Sequence, residues 1–139
     1  MNRRSWLKKA TATGRWLGLF AMVLGAAGQA VKADEPMPEE ISVSQAKAEK
    51  DAGAFILDVR EPAEWEEGHI PGATLIPLGQ LEQRTRELPQ DKEIIVVCRS
   101  GGRSAKGRDI LKKAGFSKVT SMAEGMNAWE QAGYPTVQR

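Results

Sequence analysis

Four consecutive β-branched residues, Ile94-Ile95-Val96-Val97, run directly into Cys98-Arg99-Ser100-Gly101-Gly102-Arg103-Ser104. A strand of that composition has no polar side to turn to water. Both of its faces must be covered, which is the condition of a strand inside a parallel sheet. Phe55-Ile56-Leu57 has the same character, and the chain's 139 residues leave room for one such sheet. Short apolar runs predict strands at 41–43, 54–59, 74–76, 93–98 and 118–121. Helical patterns fall between them: one capped by Ser44 and running to Lys50, then 61–67, 78–88, 102–114 and 125–132. The helix from Gly102 is the clearest, with Ala105, Ile110, Leu111 and Ala114 on one side and Gly115 as its stop. Alternating strands and helices make this an α/β layer fold, whose chemistry gathers where strands end and feed helices.

Charge is unevenly distributed. Residues 1–33 carry six basic side chains (Arg3, Arg4, Lys8, Lys9, Arg15, Lys32) and no acidic one. The remainder holds 14 Lys and Arg against 18 Asp and Glu, a net charge of −4. A mildly acidic domain lacks the basic footprint of a nucleic-acid binder. A basic n-region, a short apolar run from Trp16 to Ala27 and the small residues of Val31-Lys32-Ala33 read as an export signal cleaved after Ala33. The apolar run is well short of the roughly 20 residues that span a bilayer, so a retained anchor is the weaker reading. Asn2-Arg3-Arg4-Ser5-Trp6-Leu7-Lys8 resembles a twin-arginine signal, which implies export of a folded domain to the periplasm; an ordinary basic signal is the alternative. Residues 34–40, acidic and proline-interrupted, are expected to form a flexible leader, with the folded domain occupying 41–139. With no long apolar stripe, the mature domain is expected to be a monomer without a membrane anchor.

The chain has one cysteine and one histidine, which excludes an internal disulfide and leaves no ligand set for a structural zinc. Cys98 can be a small buried apolar residue ending a strand. Its company argues otherwise. Two adjacent glycines let a tight loop turn successive N–H groups inward, and the following helix adds the positive end of its dipole. Such a ring binds an anion and stabilises a thiolate, the nucleophilic form of cysteine.

Cys98-Arg99-Ser100-Gly101-Gly102-Arg103-Ser104 resembles the active-site loop of rhodanese-type sulfurtransferases. Leu57-Asp58-Val59-Arg60-Glu61 and Glu64-Trp65-Glu66-Glu67-Gly68-His69-Ile70-Pro71-Gly72-Ala73 resemble the two upstream signatures of that family. Gly125-Met126-Asn127-Ala128-Trp129 and Gly133-Tyr134-Pro135 are similar to the closing one. Glu124 departs from the family pattern, in which a second glycine is common there. The resemblance covers residues 41–137. It implies a rhodanese-like fold with a five-stranded parallel sheet flanked by helices, and sulfur transfer through a Cys98 persulfide. A small sulfur-containing anion such as thiosulfate would be the donor, cyanide or a thiol the acceptor, and no metal or organic cofactor would be needed. The amides of Arg99, Ser100, Gly101, Gly102, Arg103 and Ser104 would hold the sulfur and the leaving group, with the Arg99 and Arg103 side chains neutralising the donor.

Asp58 and Arg60 could face this loop, but an ion pair that fixes the turn is at least as consistent, and for Arg60 it is the favoured reading. His69 lies in Gly-His-Ile-Pro-Gly, turn chemistry that points to a structural histidine bonded to backbone rather than a base. Trp65 and Trp129 read as packing residues. A cysteine phosphatase or arsenate reductase is the enzymatic alternative, yet those enzymes place five residues between Cys and Arg, and here four separate Cys98 from Arg103. A sulfur-carrier or partner-binding module, or an intermolecular thiol–disulfide carrier, completes the set of alternatives.

Overall fold

The computed structural model describes residues 36–139. The expected export signal and cleavage after Ala33 lie outside the described residues. In chain order the elements are β1 (Glu40–Ile41), α1 (Val43–Asp51), β2 (Phe55–Asp58), α2 (Pro62–Glu67), β3 (Thr74–Leu75) and α3 (Leu78–Leu81). After a 3-10 turn at Thr85–Glu87 come β4 (Ile94–Val97), α4 (Gly102–Lys113), β5 (Val119–Met122) and α5 (Gly125–Gln131). The five strands form one sheet in the order β1-β5-β4-β2-β3, and every pairing is parallel.

β4 lies at the centre, paired with β2 from Ile94↔Phe55 to Val97↔Asp58 and with β5 from Ile94↔Val119 to Val96↔Ser121. Its side chains alternate between two cores, as the period of a strand requires. Ile94, Val96 and Cys98 join Leu57, Val59, Leu81 and Leu111 on the face covered by α3 and α4; Ile95 and Val97 join Ile41, Ala46, Met126 and Trp129 on the face of α1 and α5. That is why the run contains no polar residue. Helix α4 approaches the sheet at Gly107, where an added Cβ would come within 3.1 Å of Val96 and 3.4 Å of Val59 and Leu81.

Three sequence expectations are corrected in detail. Helix α1 is capped by Ser42, not Ser44: β1 stops pairing at Ile41, and Ser42 Oγ accepts the Gln45 N–H at 3.2 Å while Gln45 Oε1 accepts the Ser42 N–H at 3.4 Å. Such a box needs Gln or Glu three residues on, and Ser44 has Lys47 there. The helix expected over 78–88 is α3 plus the separate 3-10 turn, because no apolar residue lies between the buried Leu81 and Leu88 to hold a continuous helix down. At the start of the domain Glu40, expected in the leader, is already in β1 opposite Ser121, and the Glu39 carbonyl accepts the Ser121 N–H at 3.0 Å.

Candidate active site

β4 ends at Val97, and Cys98 follows it at the carboxyl edge of the sheet, 1% exposed. The chain then turns through Arg99-Ser100-Gly101 into α4. Gly101 has φ +106°, a left-handed conformation that glycine adopts without strain, whereas Gly102 opens the helix with open space where a Cβ would be. Only the first of the two glycines is therefore demanded by the backbone.

Three carbonyls of the loop accept hydrogen bonds. Cys98 O accepts the Met126 N–H at 2.8 Å, Arg99 O accepts the Asn127 N–H at 3.1 Å, and Gly101 O accepts Ser104 Oγ–H at 2.9 Å. Two of these donors are the otherwise unpaired first amides of α5, so the start of one helix holds the loop that opens another. With these carbonyls engaged elsewhere, the Gly101 N–H reaches Cys98 Sγ at 3.0 Å. Cys98 Sγ–H in turn donates to Ser104 Oγ at 3.5 Å.

The closeness of α5 depends on Gly125, at φ +56°, where a Cβ would overlap Cys98 O and lie 2.6 Å from Arg99 O. Glu124, where the family resemblance leads one to expect glycine, takes the same left-handed conformation at φ 58°. The departure therefore places a side chain where the backbone conformation favours glycine.

Burial raises the Cys98 pKa, but the Ser104 hydroxyl and the amides of Ser104, Gly101 and Ser100 outweigh it and bring the thiol below its ordinary value. The Ser104 proton has two calls on it. It lies on Gly101 O while the thiol is protonated, and must turn to sulfur when the thiolate forms. Removing it in Ser104→Ala is expected to move the thiolate titration to higher pH, so less of the nucleophile exists at neutral pH. Ultraviolet thiolate absorbance against pH measures this on the chain's single cysteine; an unmoved or downward-shifted titration would show that the backbone alone ionises Cys98.

Both loop arginines engage a carboxylate of α2. Arg103 forks onto Glu64, with Nη1–Oε2 and Nη2–Oε1 both 2.7 Å, and Arg99 Nε donates to the same Oε1 at 3.0 Å. Arg99 Nη2 also lies 3.5 Å from Glu67 Oε2. Glu64 is set by the start of α2, where Pro62 is the first helical residue and the Glu61 N–H donates to Glu64 Oε2 at 2.9 Å. The Arg103 fork first of all, opposed by partial burial and helped by the Glu61 amide and Arg99, holds the Glu64 carboxyl well below the usual carboxylate range. Glu64 is the residue that reading the sequence missed. It is 35 and 39 residues from its partners, and its place in an upstream signature was the only trace of it.

Asp58 and Arg60 engage each other. Arg60 Nε and Nη2 grip the Asp58 carboxylate at 2.8–3.1 Å, the Arg60 N–H adds a bond at 3.0 Å, and Arg60 Nη2 also donates to Gly68 O at 2.8 Å. Both are buried, so the pair ties the end of β2 to the end of α2. His69 Nδ1 is 2.9 Å from Trp65 O and its ring stacks on Trp65 at 3.5 Å, a structural histidine as its turn sequence suggested. Trp129 is buried and donates Nε1–H to Pro135 O.

The geometry is thus a thiol at a helix start, bonded by loop amides that bring it below its ordinary pKa and flanked by an Arg–Glu–Arg cluster. Comparison with known proteins gives a match to the rhodanese-like domain family over residues 42–132. A sulfurtransferase of Allochromatium vinosum is 34% identical over 96 residues, covering 69% of this chain and 89% of that protein. YrkF of Bacillus subtilis, named as a candidate sulfur carrier, is 46% identical over 83 residues; these are 60% of this chain but 45% of YrkF, so the chain spans less than half of that relative. Among solved structures, a rhodanese-related protein from Thermoplasma volcanium aligns with a TM-score of 0.69 at 30% identity, covering 73% of this chain and 100% of that one.

Proposed function

Because the chain belongs to the rhodanese-like domain family, with a sulfurtransferase among its relatives, we propose that it moves a sulfane sulfur through a Cys98 persulfide. Thiosulfate or a similar compound is the donor, and cyanide or a thiol the acceptor. The Cys98 thiolate attacks the outer sulfur of thiosulfate. A new S–S bond forms as the old one breaks, and sulfite leaves with the electron pair. Acceptor attack on the outer sulfur of the persulfide then returns the Cys98 thiolate. Each step places negative charge inside the amide ring, and preorganised N–H dipoles stabilise it without reorganising. The observation that carries this reading is the Gly101 N–H donated to Cys98 Sγ in a loop whose Cys98 and Arg99 carbonyls are held by the first amides of α5.

Purified protein is expected to make thiocyanate from thiosulfate and cyanide while releasing no phosphate from aryl phosphates and reducing no arsenate. Phosphate release or arsenate reduction without thiocyanate would overturn the reading. The relative named as a candidate sulfur carrier supports a second version, in which the persulfide is handed to a partner protein. That version expects stoichiometric Cys98 persulfide but slow turnover with small acceptors.

The composition of residues 1–33 supports export to the periplasm by the twin-arginine route, with cleavage after Ala33. Replacing Arg3 and Arg4 by Lys keeps the charge and removes the guanidinium pair. The expected result is loss of processed protein from a periplasmic extract; equal processing of both versions would reject that route.

A further inference from the structure

Resting on the sulfur-transfer reading above, we infer that Glu64 is a specificity-determining residue. By engaging both loop arginines it sets the site against a free dianion such as thiosulfate, in favour of a donor of lower charge, a thiol persulfide R–S–SH.

The two guanidinium groups beside the loop are the charges that could offset an incoming dianion. Both are already engaged. Glu64 takes the fork of Arg103 and the Nε–H of Arg99, and Glu67 lies against Arg99 from the other side. Two positive charges thus face two carboxylates, and ionising Cys98 leaves the cluster net negative. Glu64 cannot swing away freely, because Oε2 also accepts the Glu61 N–H that opens α2. A dianion must therefore compete with a carboxylate anchored by its own helix. The approach of like charges to a thiolate slows encounter and weakens binding.

A persulfide brings at most one charge on its reacting sulfurs and needs little from the guanidinium groups. Cys98 thiolate attacks the outer sulfur of R–S–SH; the Sγ–S bond forms, the S–S bond between that sulfur and R–S breaks, and R–S⁻ leaves with the electron pair. The proton stays on the transferred sulfur, giving Cys98–S–SH. No outside oxidant or reductant enters.

The test measures the second-order rate of persulfide formation on Cys98, by rapid quench and mass spectrometry, with thiosulfate and with cysteine persulfide, whose net charge is at most −1. Wild-type protein is expected to react faster with the persulfide. In Glu64→Gln, which keeps the shape and removes the charge, the thiosulfate-to-persulfide rate ratio should rise about threefold to tenfold. Glu67→Gln, on a side chain 73% exposed, should move the ratio the same way by less and carries the test if the first variant fails to fold. Raising ionic strength should narrow the difference between donors in the wild type. A wild-type preference for thiosulfate, or a ratio unmoved or lowered in the folded variants, would overturn the inference and leave sulfur transfer standing. Absence of sulfur on Cys98 with either donor would remove both.

Discussion

Cys98→Ser is expected to abolish sulfur transfer while leaving the fold intact. The oxygen is nearly isosteric with sulfur and would keep the same partners, accepting the Gly101 N–H and donating to the Ser104 hydroxyl oxygen, so the buried position stays satisfied. The stability change should be about 1 kcal/mol or less, a shift in Tm of under roughly 8 °C for a domain of this size. A serine hydroxyl is not ionised at neutral pH and cannot carry a sulfane sulfur. Mass spectrometry after exposure to donor should find one added sulfur on the wild type and none on the variant. Turnover by the serine variant, or persulfide at another residue, would take the nucleophile away from Cys98.

Gly125→Ala should be the most damaging single methyl in the domain. The added Cβ meets backbone rather than a movable side chain, at Cys98 O and Arg99 O, and the residue is at φ +56°. Forcing an atom into a packed site costs about 1–3 kcal/mol and sometimes more. The left-handed conformation adds about 1–2 kcal/mol for a residue with a side chain. A loss of about 4 kcal/mol would lower Tm by roughly 15–30 °C. Relief can come only by moving α5 off the loop, which releases the Cys98 and Arg99 carbonyls and lets the amide ring collapse, so activity should fall further than stability. Gly102→Ala is the control, since nothing lies within 4 Å of its Cβ position and the residue starts a helix. A Gly125→Ala protein melting within a few degrees of wild type would mean that α5 does not hold the loop as closely as described.

The parts of this protein legible in its sequence are those decided by neighbours along the chain. Ile94–Val97 specify a strand covered on both faces because every residue is apolar, and the alternation that sends Ile94 and Val96 to one core and Ile95 and Val97 to the other follows from strand geometry. Gly101, the helix from Gly102 and the thiol between strand and helix were equally visible, since a strand, a tight turn and a helix start are each local events. Where local signals competed, the reading slipped: Ser44 was a plausible cap until the end of β1 pairing at Ile41 left Ser42 free to make the box with Gln45.

What only the tertiary structure decided is which distant groups share the space around Cys98. The family resemblance implies donor-binding charges at Arg99 and Arg103; the fold brings α2 against the loop, and Glu64 bonds both. Gly125 read as the start of a helix, and its need for glycine comes from the backbone of Cys98 and Arg99, 27 and 26 residues away. Arg60 could have pointed at the loop or at Asp58, and the Gly68 carbonyl closes the second arrangement. Local propensities act through the few bonds between adjacent residues, so a one-dimensional pattern records them. Ion pairing and steric contact act through space, and their partners exist only once the sheet has set α2, α4 and α5 side by side.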